Sequence, residues 1–461
     1  MSVDSVLDRF AKQAPVCVMV RATLENVLSP ERLDAIFERH AVMQRSGELL
    51  FSTVADLMAA VVCRIRPSVH AAYSDQAEQI GVSVRSVYDK LAGIETDVSR
   101  GMVRETAERM QAIVDALGGP RREPLPGHRV KYLDGNHLRR TDRRLGELRE
   151  IDAPPLPGQA LAVLDPQLML VTDVIPCEDG HAQERSLLPI VLETVRRGEV
   201  WVADRNFCTA DFLFGIAKRR ARFVIREHGN SPSRELVGRR KKVGRIETGV
   251  VFEQSMRIFN AAGEARTVRR ITVELFEPTR DGEQAIHILT NLPQSVTATK
   301  IARLYGTRWT IETAFQEMAE NLKAEINTLG YPKAALFGFC MGLLAYNVFS
   351  VTKAAIAAAH GEATAEKCST YYMADEIAST YRGLMIAVDE ASWSQKYADL
   401  PPSRLARALR SIAKGMRLSR YAKNPWRPKK KAAKVKKKKL KHVATARILE
   451  ERKLLASPGK C

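Results

Sequence analysis

The sequence predicts a mixed α/β protein whose sheet-bearing core is flanked on both sides by helical segments. Three observations carry that expectation. Apolar residues recur at helical spacing up to about residue 118, and from Pro120 the period changes to that of strands. Strand and helix patterns then alternate as far as residue 227. A long stretch of strand-like alternation, 228–292, interrupts that rhythm before helices resume.

At 461 residues the chain is too long for one compact core, and 45% hydrophobic content suits a folded protein. The shifts in pattern divide it into a helical segment at 1–119 that is a candidate DNA-binding domain, a core begun at 120–227 and resumed at 293–360, a β-rich insertion at 228–292, a C-terminal helical region at 361–418 and a basic tail at 419–461. In the first segment a helix starts at Ser29-Pro30, and Gly118-Gly119-Pro120 ends the last one. Ser74 to Leu91 reads as a helix, a turn at Gly81 and a second helix from Ser83, which is helix-turn-helix syntax. DNA reading and plain helical packing are both open for it. The core begins with HRVKYLDG, a strand ending in a turn. A hairpin around Asp165-Pro166 follows, then helix, strand, helix and strand as far as ARFVIRE. Hairpin-linked strands followed by βαβ crossovers predict a mixed sheet with helices on its faces. EQAIHILTNLP adds a strand, and one long helix is expected over 297–326.

Lys and Arg number 72 against 53 Asp and Glu, a formal net charge of +19. That excess favours a polyanion, nucleic acid or an anionic membrane surface. Twelve Lys and Arg and no acid lie between Arg420 and His442. Such a run forms no core, is expected to be mobile, and suits a phosphate-binding arm better than a solubilising tail. MSVDSVLDRFAKQ lacks a basic region before an apolar run, and Ala334 to Val351 reads as a buried core helix. A cytoplasmic place, with no membrane partner, is therefore expected. Seven scattered cysteines without a CxxC pair argue against a disulfide framework or a zinc knuckle. No glycine-rich phosphate loop is present, which excludes a nucleotide-hydrolysing engine.

The chemistry-bearing residues are acids at strand ends. Asp134 follows VKYL and Asp204 follows VWVA. An acid ending an apolar strand is poorly solvated unless it meets a cation or a donor, although a lone case is more often a turn-former. LYGTRWTIETAFQEM then carries Tyr305, Arg308 and Glu312 at i, i+3 and i+7, one helical face. A solvated face with a salt bridge is the plain alternative. Three carboxylates from two strands and a facing helix can hold two divalent ions for in-line phosphoryl transfer, and magnesium suits such oxygen ligands. Arg308 and Tyr305 would then hold an adjacent phosphate. Arg205 and Asn206 are candidates to orient Asp204 or touch phosphate, with loop structure as the alternative. Asp165, Asp173 and Asp211 read as turn, strand-end and capping residues, His137 as a solvent-facing loop residue, and Trp309 as core packing.

The order LDG (Leu133 to Gly135), DRNF (Asp204 to Phe207) and YGTRWTIE (Tyr305 to Glu312) resembles the DDE transposases of bacterial insertion sequences, in particular the "insertion sequence four" group with its Tyr-x2-Arg-x3-Glu-x6-Lys signature. The resemblance covers about residues 120–350, including the TNLP strand. It implies an RNase H-like catalytic core with a β insertion before the Glu. It further implies Asp134, Asp204 and Glu312 as the catalytic, metal-holding triad, Tyr305 and Arg308 as phosphate contacts, two Mg2+ ions with Mn2+ as substitute, and a DNA-bound homodimer that acts on inverted-repeat ends and target DNA by cut-and-paste. One departure is plain: the signature lysine falls at Ala319, and Lys323, four residues on, is the candidate replacement. A nuclease with the same core but no strand transfer, and an inactive DNA-binding relative, are the rival readings.

Overall fold

Caps and breakers set the first helices: α1 (Val3–Gln13), α2 (Pro15–Val27), α3 (Pro30–His40), α4 (Phe51–Val62), α5 (Val69–Ile80), α6 (Val84–Gly93) and α7 (Thr96–Leu117). Pro15 and Pro30 occupy first-turn positions, where a missing N–H costs nothing. Gly81 ends α5 at φ +71°, a left-handed conformation that glycine adopts without strain, and the Ser83 hydroxyl accepts the Ser86 N–H to start α6. The computed structural model describes residues 3–119, 123–229, 232–279, 281–423 and 442–456.

The strands are β1 (Val130–His137), β2 (Pro155–Leu156), β3 (Gln159–Asp165), β4 (Leu170–Cys177), β5 (Val200–Ala203), β6 (Arg222–Arg226), β7 (Ser233–Ile246), β8 (Gly249–Phe259), β9 (Ala265–Leu275) and β10 (Ala285–Thr290). Helix α8 (Leu188–Thr194) connects β4 to β5, and α9 (Ala210–Lys218) connects β5 to β6. All but β2 join one mixed sheet in the order β4-β3-β1-β5-β6-β10-β9-β8-β7. β1 runs antiparallel to β3 and parallel to β5, which is parallel to β6. The insertion expected at 228–292 therefore does not stand apart from the core. Its last strand, β10, pairs antiparallel with β6 and carries β9, β8 and β7 outward as a continuation of the same sheet.

Alternation along the strands sorts the two faces. Leu133, Leu161, Trp201, Ala203, Phe223 and Ile225 pack against α8 and α9. Tyr132, Ala162, Val202, Val224 and Ile288 face the larger core. That larger core is built from the N-terminal helices, α10 (Ala298–Gly306), α11 (Trp309–Asn321), α12 (Pro332–His360), α13 (Glu362–Glu366), α14 (Thr370–Ala387), α15 (Glu390–Trp393) and α16 (Pro402–Lys414). The two ends of the chain share it. The Cys17 N–H donates to Glu376 at 3.0 Å, and Asn26 Nδ2 donates to the Tyr397 carbonyl at 2.7 Å.

The single helix expected over 297–326 is two helices. The break falls at Thr307–Arg308, where the Thr307 hydroxyl donates to the Leu304 carbonyl at 2.7 Å and is itself 2.6 Å from the Tyr132 hydroxyl. Arg308 and Ile311 N–H groups bond three residues back, a tighter turn than the α-helix allows. α11 then stops at Asn321.

The polybasic run at 424–441 lies outside the described residues. Beyond it, β11 (Val443–Ala444) pairs in parallel with β2, and α17 (Thr445–Ala456) follows, tied by Arg447 to Asp179 at 2.8 Å. Among the described residues α12 is the one helix long and apolar enough to cross a membrane, and its apolar window is wholly buried in the protein. The six described cysteines form no disulfide.

Asn347, fully buried on α12, closes the open edge of β4: its Oδ1 accepts the Val171 N–H at 2.7 Å and its Nδ2 donates to the Val171 carbonyl at 2.8 Å. Asn347→Ala leaves both backbone groups unpaired in an apolar setting. It should lower stability by about 1–3 kcal/mol in chemical denaturation, and an unchanged midpoint would contradict this role.

Candidate functional site

Parallel pairing fixes the first two acids. The β1–β5 register runs from Val130 opposite Val200 to Leu133 opposite Ala203. The next residues, Asp134 and Asp204, therefore lie side by side, Asp134 within β1 and Asp204 just past the end of β5. Strands in a sheet lie roughly 4.8 Å apart, close enough for each carboxylate to feel the other's charge. Alternation directs both to the face of Tyr132 and Val202, the face covered by α10 and α11. The third acid, Glu312, sits in the first turn of α11.

Arg308 joins strand to helix. Its Nη1 donates to Asp134 Oδ2 at 2.8 Å and its Nη2 to Glu312 Oε1 at 2.6 Å. The guanidinium is buried, and the buried Tyr305 phenol lies close enough to feel its charge. Burial alone would lower the Arg308 pKa; the charges of Asp134, Tyr305 and Glu312 outweigh it and hold the pKa above its ordinary value. Burial also dominates at Asp134. It pushes the carboxyl up to about 6 against the pull of Arg308, with Asp204 and Glu312 adding to the rise. The Tyr305 phenol is raised too, chiefly by burial.

Other expected site residues lie elsewhere. Arg205 is exposed and pairs with Glu283 at 2.8 Å, away from the three acids. Asn206 does bear on Asp204: its backbone N–H donates to Asp204 Oδ1 at 2.7 Å. Lys323 is not brought to the acids. It lies beyond the end of α11, its backbone N–H donates to Val62, and its ammonium bonds the Pro67 carbonyl. Trp309 is not core packing. It is 59% exposed, and the Arg308 guanidinium lies 5.6 Å from its ring centroid, because the broken helix turns the indole outward.

The remaining acids are structural. Asp165 takes Lys131 at 3.0 Å and Arg129 at 3.1 Å, and Asp173 takes Arg100 through both oxygens. Asp211 does not cap α9; the Thr209 hydroxyl does. Two contributors went unread in the sequence: Glu184, bonded to Asn206, and the Tyr132–Thr307 bond one residue before Arg308. Nothing in the local pattern around Glu184 marks it.

The donor set, carboxylate oxygens only, has the chemistry that hard divalent cations take. Asp134 is poorly compensated by its surroundings, as its raised pKa records. Among the described residues, however, no group of three or more His, Cys, Asp or Glu side chains is gathered closely enough to hold an ion. Arg308 spans Asp134 and Glu312 instead. Arg308 would have to leave both Asp134 and Glu312 before these carboxylates could share such a cation with Asp204.

A mixed sheet carrying two in-register acids opposite an Arg–Glu helix defines the class in which known relatives are to be sought. Residues 159–348 match the family model described as "Transposase DDE domain". The match takes in Asp204, Tyr305, Arg308 and Glu312 and begins after Asp134. A segment of 132 residues is 29% identical to "Putative transposase y4zB" of Sinorhizobium fredii (strain NBRC 101917 / NGR234), over 28% of this chain and 35% of that protein. The likeness spans about a third of the relative's length. Both similarities support a DDE transposase.

The Asp134 carboxyl should titrate near pH 6 in the metal-free protein, above its ordinary 3.8. The folded state then holds the extra proton between about pH 4 and 6. Ionising Asp134 costs stability that is absent below about pH 4 and fully felt above about pH 6. Carboxyl-detected NMR should show that midpoint, and Arg308→Gln should move it higher still. A midpoint near 3.8 that ignores the substitution would contradict the geometry.

Proposed function

We propose that this chain is a DNA transposase of an insertion sequence, which binds the element's ends and catalyses metal-dependent DNA cleavage and strand transfer by a cut-and-paste route. The observation that carries the proposal is the register of Asp134 and Asp204 on adjacent parallel strands, opposite Glu312 on a helix. The strand order β4-β3-β1-β5-β6, with its first three members antiparallel and the next two parallel, supports an RNase H-like core.

In this reading Asp134 and Asp204 hold Mg2+, with Mn2+ as substitute, and Glu312 completes the set. When bound, two such ions would supply activation of the attacking oxygen and stabilisation of the leaving oxygen. The chain's own contributions are positional. Arg308 has a planar fork that can exchange carboxylate oxygens for those of a phosphate. Tyr305 offers a neutral hydroxyl beside it. Arriving nucleic-acid phosphate draws Arg308 off Glu312, so substrate and metal assemble the site together.

Two surfaces fit DNA. The α5–Gly81–α6 unit presents Arg85 and Ser86 to solvent, as a recognition helix does. Edge strand β7 exposes Arg239, Arg240, Lys241, Lys242 and Arg245, next to α10. Paired end-cutting makes a DNA-bound homodimer the working form.

Asp134→Asn, Asp204→Asn and Glu312→Gln should each abolish Mg2+-dependent cleavage of end-bearing DNA, by at least about a thousandfold, while retaining DNA affinity. A plasmid integration assay should give joined products with the native chain. Cleavage without joining would mean a nuclease; loss of binding in the variants would make these acids structural; activity unchanged in all three would leave a DNA-binding relative.

The lysines between 429 and 441 number nine. Replacing them with serine should flatten the slope of log affinity against log salt, since each phosphate contact contributes about −0.9. An unaltered slope would show that the run contacts no DNA.

A further inference from the structure

Glu184 starts the short helical turn Glu184–Leu187 between β4 and α8. One carboxylate oxygen rests on Gly135: a Cβ added there would lie 1.9 Å from Glu184 Oε1. No other residue type leaves room for that contact. The second oxygen, Oε2, accepts from Asn206 Nδ2. Next door, Arg185 Nε donates to the Asn206 carbonyl at 2.7 Å. Asn206 in turn donates its backbone N–H to Asp204. One turn therefore grips the backbone immediately after Asp134 and the loop immediately after Asp204.

The direction of approach matters. Successive strand residues face opposite sides, so Gly135 shares the face of Leu133, toward α8 and α9, while Asp134 faces α11. Glu184 reaches the strand ends from behind the sheet. β5 is only four residues long, and its pairing with β1 stops at Ala203, so strand pairing alone does not fix Asp204.

We propose that Glu184 is a positioning residue that ties β1 at Gly135 to the turn that follows β5, so that Asp134 and Asp204 are presented as a pair; the assignment rests on the reading above that these two acids hold a divalent cation for DNA phosphoryl transfer. It works as a hydrogen-bond acceptor and spacer, through Asn206 and Gly135.

The test is calorimetric titration of the full chain with Mn2+, alongside the thermal midpoint and DNA cleavage. Glu184→Ala should weaken Mn2+ binding about 10- to 100-fold, the cost of removing a residue that orients a metal ligand. Glu184→Gln, whose amide oxygen still accepts from Asn206, should stay within about threefold of the native chain. Gly135→Ala displaces the carboxylate and should weaken binding by itself, yet add little to Glu184→Ala, because contacting residues are non-additive. Should Glu184→Ala fail to fold, Gly135→Ala carries the test. Native-like binding in Glu184→Ala or Gly135→Ala overturns the proposal. So does Glu184→Gln binding as weakly as Glu184→Ala, since the charge itself would then be in use. Asp204→Asn separates the two levels. If it too binds Mn2+ like the native chain, the reading of the acids fails; if it alone loses binding, only the role of Glu184 fails.

Discussion

The buried guanidinium of Arg308 decides how the centre of this molecule is arranged. Three acids at the junction of two strand ends and a helix repel one another, and burial of Asp134 makes its charge costly. A buried arginine is equally untenable alone. Its two forked bonds, to Asp134 and to Glu312, offset part of both costs at once. The bridge also links β1 to α11 across 174 residues of sequence. In the proposed function a divalent cation takes over what Arg308 does for these acids here.

The surrounding structure limits where that exchange can occur. Beside the bridge, the Tyr132–Thr307 bond pins the helix break to the same strand, two residues before Asp134. That bond involves neither Arg308 nor an acid, so it can stay in place while the guanidinium swings. Behind the sheet, Glu184 and Arg185 hold the Asp204–Asn206 turn. The backbone around both aspartates is thus held from two sides, and the buried Arg308 has an exposed indole beside it. Asp134 lies before the span that matches the transposase domain, yet β1 is an interior strand of the sheet between β3 and β5, both inside that span.

Much of this was legible in the sequence where the signal is local. Strand alternation, the hairpin at Asp165-Pro166 and the acids after VKYL and VWVA are properties of a few residues each, and the structure has strands there, except that β1 runs on through Asp134 to His137 where a turn is expected, because β3 pairs with it that far. What escaped depends on partners far away. The β-rich stretch was legible as strands, but its fusion with the main sheet rests on β10 finding β6, about 60 residues earlier in the chain. The helix break at Thr307 owes itself to a hydroxyl on β1, invisible in LYGTRWTIE. That break in turn exposes Trp309, whose size and apolarity argued for burial. Lys323 counted correctly along an unbroken helix and failed because the helix ends first. Glu184 leaves no local mark because it acts on Gly135, 49 positions away.

The central claim, that Asp134 and Asp204 share a cation which Arg308 now replaces at Glu312, is tested most directly by anomalous diffraction from crystals of the protein soaked in Mn2+ with a short DNA end. The account predicts a manganese peak against both aspartates, with the Arg308–Glu312 bond broken and the guanidinium on a phosphate. Manganese bound elsewhere, with the Asp134–Arg308–Glu312 bridge undisturbed, would contradict it.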